Sequence, residues 1–117
     1  MTDPVPTDPP ALRLLKHALW DTSDALSLPH DERLELCWAV VHEATRLPLS
    51  YGDGVSEPYL VALAGNTRLL GRVLTSARTA QLDHASWHPD NRRRRIRVAV
   101  RRELSGKAPW VFDDLTR

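Results

Sequence analysis

The chain has 117 residues, 42% hydrophobic and 26% charged, which allows one domain with one modest core and not two. No stretch approaches the roughly 18–20 consecutive apolar residues that span a bilayer. The single cysteine, Cys37, cannot form an internal disulfide, which suits a reducing compartment. The net charge of +1 conceals a gradient: residues 1–60 carry four Lys/Arg against ten Asp/Glu, and residues 61–117 carry twelve against five. Such asymmetry points to an acidic partner for the second half or to attraction between the halves. The basic residues are 14 Arg and 2 Lys, a skew that a GC-rich coding bias would also produce.

Residues 1–9 are acidic and proline-rich, lack the basic start and apolar core of a signal peptide, and are expected to form a flexible tail. The protein is accordingly expected to be cytoplasmic, with residues 10–117 as a single helical domain. Pro10 suits a first helical turn, and Leu12, Leu15, Leu19, Thr22 and Leu26 then share a stripe, so a first helix is expected to about Ser27. Trp20 lies off that stripe, at the edge of the core or in an interface.

A second helix is expected from Ser27 or Leu28, with Pro29 in its first turn, to Arg46 before Pro48. Its segment Arg33–Ala44 is the most continuously apolar in the chain. Leu34, Cys37 and Val41 recur on one face, Leu36 and Val40 on the next, and Trp38 and Ala39 fill most of the rest. A helix apolar nearly all round is a buried helix around which the others pack. Gly52-Asp53-Gly54 then marks a loop, too short to cradle a phosphate.

Ser56-Glu57-Pro58 begins a long helical pattern to about Leu82, with Gly65-Asn66 as a point of kinking or breakage. Residues 83–89 read as a connector. The segment Arg95–Arg101 is ambiguous. Its alternation favours a strand, yet Ile96, Ala99, Val100 and Leu104 share a helical face and no second alternating run exists to pair with. Helix is the reading adopted. The fold class expected is all-α: a small bundle of four, possibly five, helices with an apolar C-terminal segment.

Arg92, Arg93, Arg94, Arg95, Arg97, Arg101 and Arg102 form the strongest functional feature. On a helix, Arg94, Arg97 and Arg101 share one flank and Arg95 and Arg102 another. So many guanidinium groups repel one another unless anions lie close. Nucleic-acid phosphates, an acidic protein surface, or the chain's own Asp21, Asp24, Asp31, Glu32, Glu35 and Glu43 would each supply them. A solvated helix face is the remaining reading. Base-reading side chains are scarce near the cluster, so any nucleic-acid contact should be to the backbone.

His84 and His88 have a spacing compatible with one metal but no neighbouring cysteine, and no metal or cofactor is expected. Cys37 sits among apolar residues, where a thiol is inert. No nucleophile-elbow or HExxH pattern is present, and a non-enzymatic role is expected. Trp110 and Phe112, next to Asp113 and Asp114, either cover the core or dock into a groove. The candidate binding residues are therefore Arg92, Arg94, Arg95, Arg97, Arg101, Arg102, Trp110 and Phe112. The expected function is a regulatory or adaptor protein that binds an acidic protein or forms a homodimer. The alternative is nucleic-acid backbone binding through residues 92–107.

Overall fold

In the computed structural model the described residues are 9–46 and 56–105, and they form an all-α bundle of five helices. The helices are α1 (Pro10–Ser23), α2 (His30–Arg46), α3 (Ser56–Gly65), α4 (Thr67–Asp83) and α5 (Pro89–Ser105). Residues 1–8 of the tail, the Gly52-Asp53-Gly54 loop and the apolar C-terminal segment lie outside the described residues. Among those described, no helix is long and apolar enough to cross a membrane.

Helix α1 begins at Pro10, whose missing N–H lies among the donors a first turn leaves unpaired. It ends at Ser23, before the expected Ser27. A 3-10 turn, Asp24–Leu26, follows, and Ser27 adopts φ 52°, a left-handed conformation that reverses the chain. The buried stripe is Ala11, Leu15, Leu19 and Ser23 at four-residue intervals, one position round from the expected one. Leu12 and Leu26 pack at its margin.

Helix α2 starts at His30, so Pro29 lies just before the helix and its carbonyl accepts from Arg33 N. Asp31 and Glu32 occupy the first turn and Arg46 the last, each complementing the helix dipole. α1 and α2 run antiparallel. Arg33 donates to Ser23 Oγ at 2.7 Å and to the Trp20 carbonyl, and its guanidinium lies 3.7 Å from the Trp20 ring centroid. Trp20 is thus an edge-of-core residue clamped by Arg33.

The long pattern after Ser56 breaks at Asn66. Its side chain accepts from Leu69 N at 3.0 Å and caps α4, while its own N–H donates to the Leu63 carbonyl. One residue therefore ends α3 and starts α4. α3 buries Tyr59, Leu60, Leu63 and Ala64, largely against α1.

The 95–101 segment is helical. Ile96, Val100 and Leu104 are fully buried along one stripe of α5, and the alternating pattern has no pairing partner. Five residues, 84–88, join α4 to α5. Glu103 near the end of α5 meets Ser76 and Arg72 of α4, so these helices are antiparallel.

Helix α2 touches all four other helices, but so does α4, and more extensively, so α2 shares the centre of the bundle and is not the one rod around which the others pack. Nor is it apolar all round. Leu36, Cys37, Ala39, Val40 and Ala44 are buried, Leu34 and Val41 are partly covered, and Trp38 is 44% exposed. Burial raises the pKa of the Cys37 thiol, and its Sγ lies 3.8 Å from the Leu19 carbonyl, so the group is a packing residue.

Two substitutions test this architecture by chemical denaturation. Asn66→Ala should destabilise by about 1 kcal/mol and Asn66→Ser by much less; equal effects would contradict the cap. Gly71→Ala, where a Cβ meets nothing within 4 Å inside α4, should stabilise by about 0.5–1 kcal/mol. A loss of stability there would show that the site is tighter than described.

Candidate functional site

The arginine-rich helix is positioned by two carboxylates of α2. Glu35 is the first. Arg92 grips it with Nε to Oε1 at 3.0 Å and Nη2 to Oε2 at 2.9 Å, a fork-on-fork pair. Arg93 Nε adds a bond to Oε2 at 3.2 Å, and Gln81 of α4 donates to Oε1 at 3.0 Å. Gln81 also donates to the Glu32 carbonyl and accepts from Arg78, which in turn pairs with Glu32. Three helices are thus stitched at one end of the bundle. Burial pushes the pKa of Glu35 upward, but the bonds from Arg92, Gln81 and Arg93 outweigh it and hold the carboxyl below its ordinary value.

Glu43 is the second carboxylate. It is 1% exposed and accepts from Arg101 Nε at 2.9 Å on Oε1. Its Oε2 has no hydrogen-bond partner among the described residues and lies 3.9 Å from His42 Nε2. Between these two anchors Arg97 of α5 lies 5.6 Å from the Trp38 ring centroid. The order Glu35–Arg92/Arg93, Trp38–Arg97, Glu43–Arg101 ascends on both helices, so α2 and α5 are parallel.

The outer surface of this seam is a basic and aromatic ridge. His42 stacks on Trp38 with centroids 5.1 Å apart, and Arg46 Nη1 lies 3.3 Å from His42 Nε2. Burial lowers the His42 pKa, and Arg97, Arg46 and Arg101 lower it further against the pull of Glu43, so the ring is neutral at pH 7. Beside Trp38 opens a groove of about 770 Å3 whose apolar lining includes Leu34, Leu82 and Ala85, with Arg92 and Arg93 on its wall. Leu82 is 57% exposed.

The candidate residues thus fall into three groups. Arg92 and Arg101 pair with carboxylates of the same molecule, the self-pairing that the sequence offers beside an external partner; Arg92 is largely covered, while the Arg101 side chain stays 49% exposed. Arg94 and Arg97 remain without a carboxylate among the described residues, Arg94 exposed and Arg97 partly covered by Trp38. Arg95 and Arg102 lie on the opposite flank, in a shallow groove against Thr75, Thr79 and His84 of the α4 end, with Arg95 5.6 Å from the Trp87 ring centroid. Trp110 and Phe112 lie outside the described residues.

Trp38, His42 and Arg46 are site residues that the sequence reading missed. Their i, i+4, i+8 spacing was visible, but Trp38 was assigned to the buried surface of α2. Of the acids weighed for self-pairing, Glu35 and Glu43 meet the arginine helix. Glu32 pairs with Arg78 instead, and Asp24 with Arg33 at 3.6 Å. Among the described residues no group of three or more His, Cys, Asp or Glu side chains could hold a metal. His84 Nδ1 bonds the Ala80 carbonyl, and its ring meets Trp87 edge-on.

Glu35→Ala should destabilise by about 2–4 kcal/mol, because it leaves Arg92 and Arg93 facing one another without a counter-charge. A folded-state pKa below the unfolded value means that the carboxylate's contribution is complete above about pH 4.3 and fades as pH falls through the lower folded value. The difference in stability between wild type and Glu35→Ala should therefore narrow below that pH. A difference that stays constant to pH 2 would contradict the assignment. No family model, characterised protein or solved structure matches the chain, so the reading of this face rests on its own geometry.

Proposed function

We propose that the protein is a small, non-enzymatic cytoplasmic regulatory or adaptor module that binds an acidic protein partner along the α2–α5 ridge. The observation that carries this reading is the sorting of the arginines. Arg92, Arg93 and Arg101 are held by Glu35 and Glu43, while Arg94 and Arg97, between those anchors, have no carboxylate among the described residues. The anchored neighbours keep α5 in place, so a partner meets a preorganised pair of guanidinium groups. Beside them Trp38 and Leu82 offer exposed apolar surface, the kind of anchor that dominates protein interfaces.

Two features favour a protein over nucleic acid. With Arg92, Arg93 and Arg101 already paired, the four remaining arginines of the cluster are split two to each flank of α5, so no single face presents the row of cations that would displace many counterions from a polyphosphate. His42 stacks on Trp38, so a stacked base would have to compete with it, whereas an apolar side chain laid in the groove beside Trp38 need not. A partner that presents an apolar side chain beside two or three carboxylates meets both the groove and the free arginines.

The test is fluorescence anisotropy with a labelled synthetic peptide in which Trp and Phe are flanked by aspartates. Arg94→Gln/Arg97→Gln should weaken binding by about tenfold, since each charge-assisted bond contributes about 0.7 kcal/mol at a partly exposed site. Arg95→Gln/Arg102→Gln, on the far flank, should leave affinity unchanged. Equal losses from both pairs, or tighter binding of a random DNA duplex than of the peptide at about 0.1 M salt, would overturn the proposal.

A further inference from the structure

The ridge has a candidate ligand in the same chain. Residues 110–115 read Trp-Val-Phe-Asp-Asp-Leu, two aromatic residues followed by two carboxylates. The aromatic residues match the apolar part of the groove beside Trp38 and the carboxylates match Arg94 and Arg97, while Asp31, Glu32 and Glu35 in the groove keep the acidic end out of it. Residues 106–117 follow α5 directly, and α5 ends at Ser105.

The distances permit a return. An α-helix rises about 1.5 Å per residue, so Arg97 lies about 12 Å and Arg93 about 18 Å back along α5 from Ser105. An extended chain spans up to about 3.4 Å per residue, which brings Trp110 within about 17 Å of Ser105 and Asp113 within about 27 Å. A segment running back antiparallel to α5 can therefore place Trp110 and Phe112 against Trp38 and Leu34. Asp113 and Asp114 then come to the N-terminal half of α5, beside Arg94. The opposite flank, with Arg95 and Arg102, has a smaller groove of about 370 Å3, lined by Ala80, Val98 and Ala99 together with threonine, serine, histidine and the acids Asp83 and Glu103; its lining has no tryptophan or leucine.

We propose that the C-terminal segment Trp110–Leu115 docks on the α2–α5 ridge of its own molecule and shields it from external acidic partners. The proposal rests on the binding reading above, for which it supplies the regulation. Tethering decides between the same molecule and a second copy. A link of only four residues, 106–109, gives an effective concentration of order 1 mM, above the protein concentration at which a second copy could compete. With an intrinsic Kd of order 0.1 mM, such a tether reduces the affinity of an external competitor about tenfold.

The experiment uses the full chain, labelled with 15N, as wild type, Trp110→Ala/Phe112→Ala and Asp113→Asn/Asp114→Asn. Both variants should move the Trp38 indole N–H and the Arg94 and Arg97 Nε–H resonances. The shifts should be the same at protein concentrations of about 20 and 500 μM, since a tethered contact does not depend on concentration. The labelled aspartate–aromatic peptide should bind the Trp110→Ala/Phe112→Ala chain about tenfold more tightly than wild type. Shifts confined to residues 106–117 overturn the docking, and concentration-dependent shifts overturn it in favour of a second copy. Equal peptide affinity with unmoved Trp38 leaves the binding reading intact and removes the docking. Moved resonances with no peptide binding to either chain uphold the docking and remove the binding reading.

Discussion

The carboxylate of Glu35 is the point on which the arrangement of this bundle turns. A helix with seven arginines in eleven residues has no intrinsic reason to pack, because its charges repel one another and only Ile96, Val100 and Leu104 present a continuous apolar stripe. Burying that stripe brings the flanking guanidinium groups to the surface of α2. A forked pair from Arg92, a further bond from Arg93 and a donor from Gln81 then satisfy one carboxylate from two helices at once. Glu43 repeats the device two helical turns later with Arg101. Such pairs add less net stability than their Coulomb attraction suggests, because both charges are partly desolvated. What they contribute is register: α5 can slide or rotate against α2 only by breaking them.

Register has a functional consequence. On a parallel pair of helices with anchors at both ends of the seam, the side chains between the anchors are held in place without being used. Trp38 and Arg97 occupy that position, with Arg94 beside them. A surface formed this way combines exposed aromatic area with fixed positive charge, and its helical backbone loses little freedom when something binds. The same logic separates the two flanks of α5. Arg95 and Arg102 face the α4 side, with no anchoring carboxylate among the described residues and a smaller groove whose apolar lining is Ala80, Val98 and Ala99.

Much of the fold could be read from residue spacing. Pro10, Arg46 and the Ile96–Val100–Leu104 stripe mark helix limits and faces correctly, and Gly65-Asn66 marks the break between α3 and α4. The reason for that break was less visible: poor helix propensity suggested a kink, whereas Asn66 is a capping residue whose side chain organises the next helix. α1 ended early because Ser23 turns inward to Trp20 and Arg33, a tertiary contact that periodicity cannot register. The larger error concerned α2. Its composition suggested burial on every side, yet Trp38 points outward, since the α5 seam takes Glu35 and Glu43 inward on either side of it. Composition alone does not anticipate polar residues buried by pairing. The pairing itself could have been sought. Glu35 and Glu43 on one helix and Arg93 and Arg101 on another are each eight residues apart, a match that a parallel packing would align.

The central claim is that α2 sorts the arginines of α5 into anchored and available groups. Hydrogen exchange at individual arginine Nε–H groups, followed by NMR on the full chain, tests it most directly. The account predicts slow exchange at Arg92 and Arg101, whose Nε–H groups donate to carboxylates, and fast exchange at Arg94 and Arg102. Uniform exchange across all of them would contradict it.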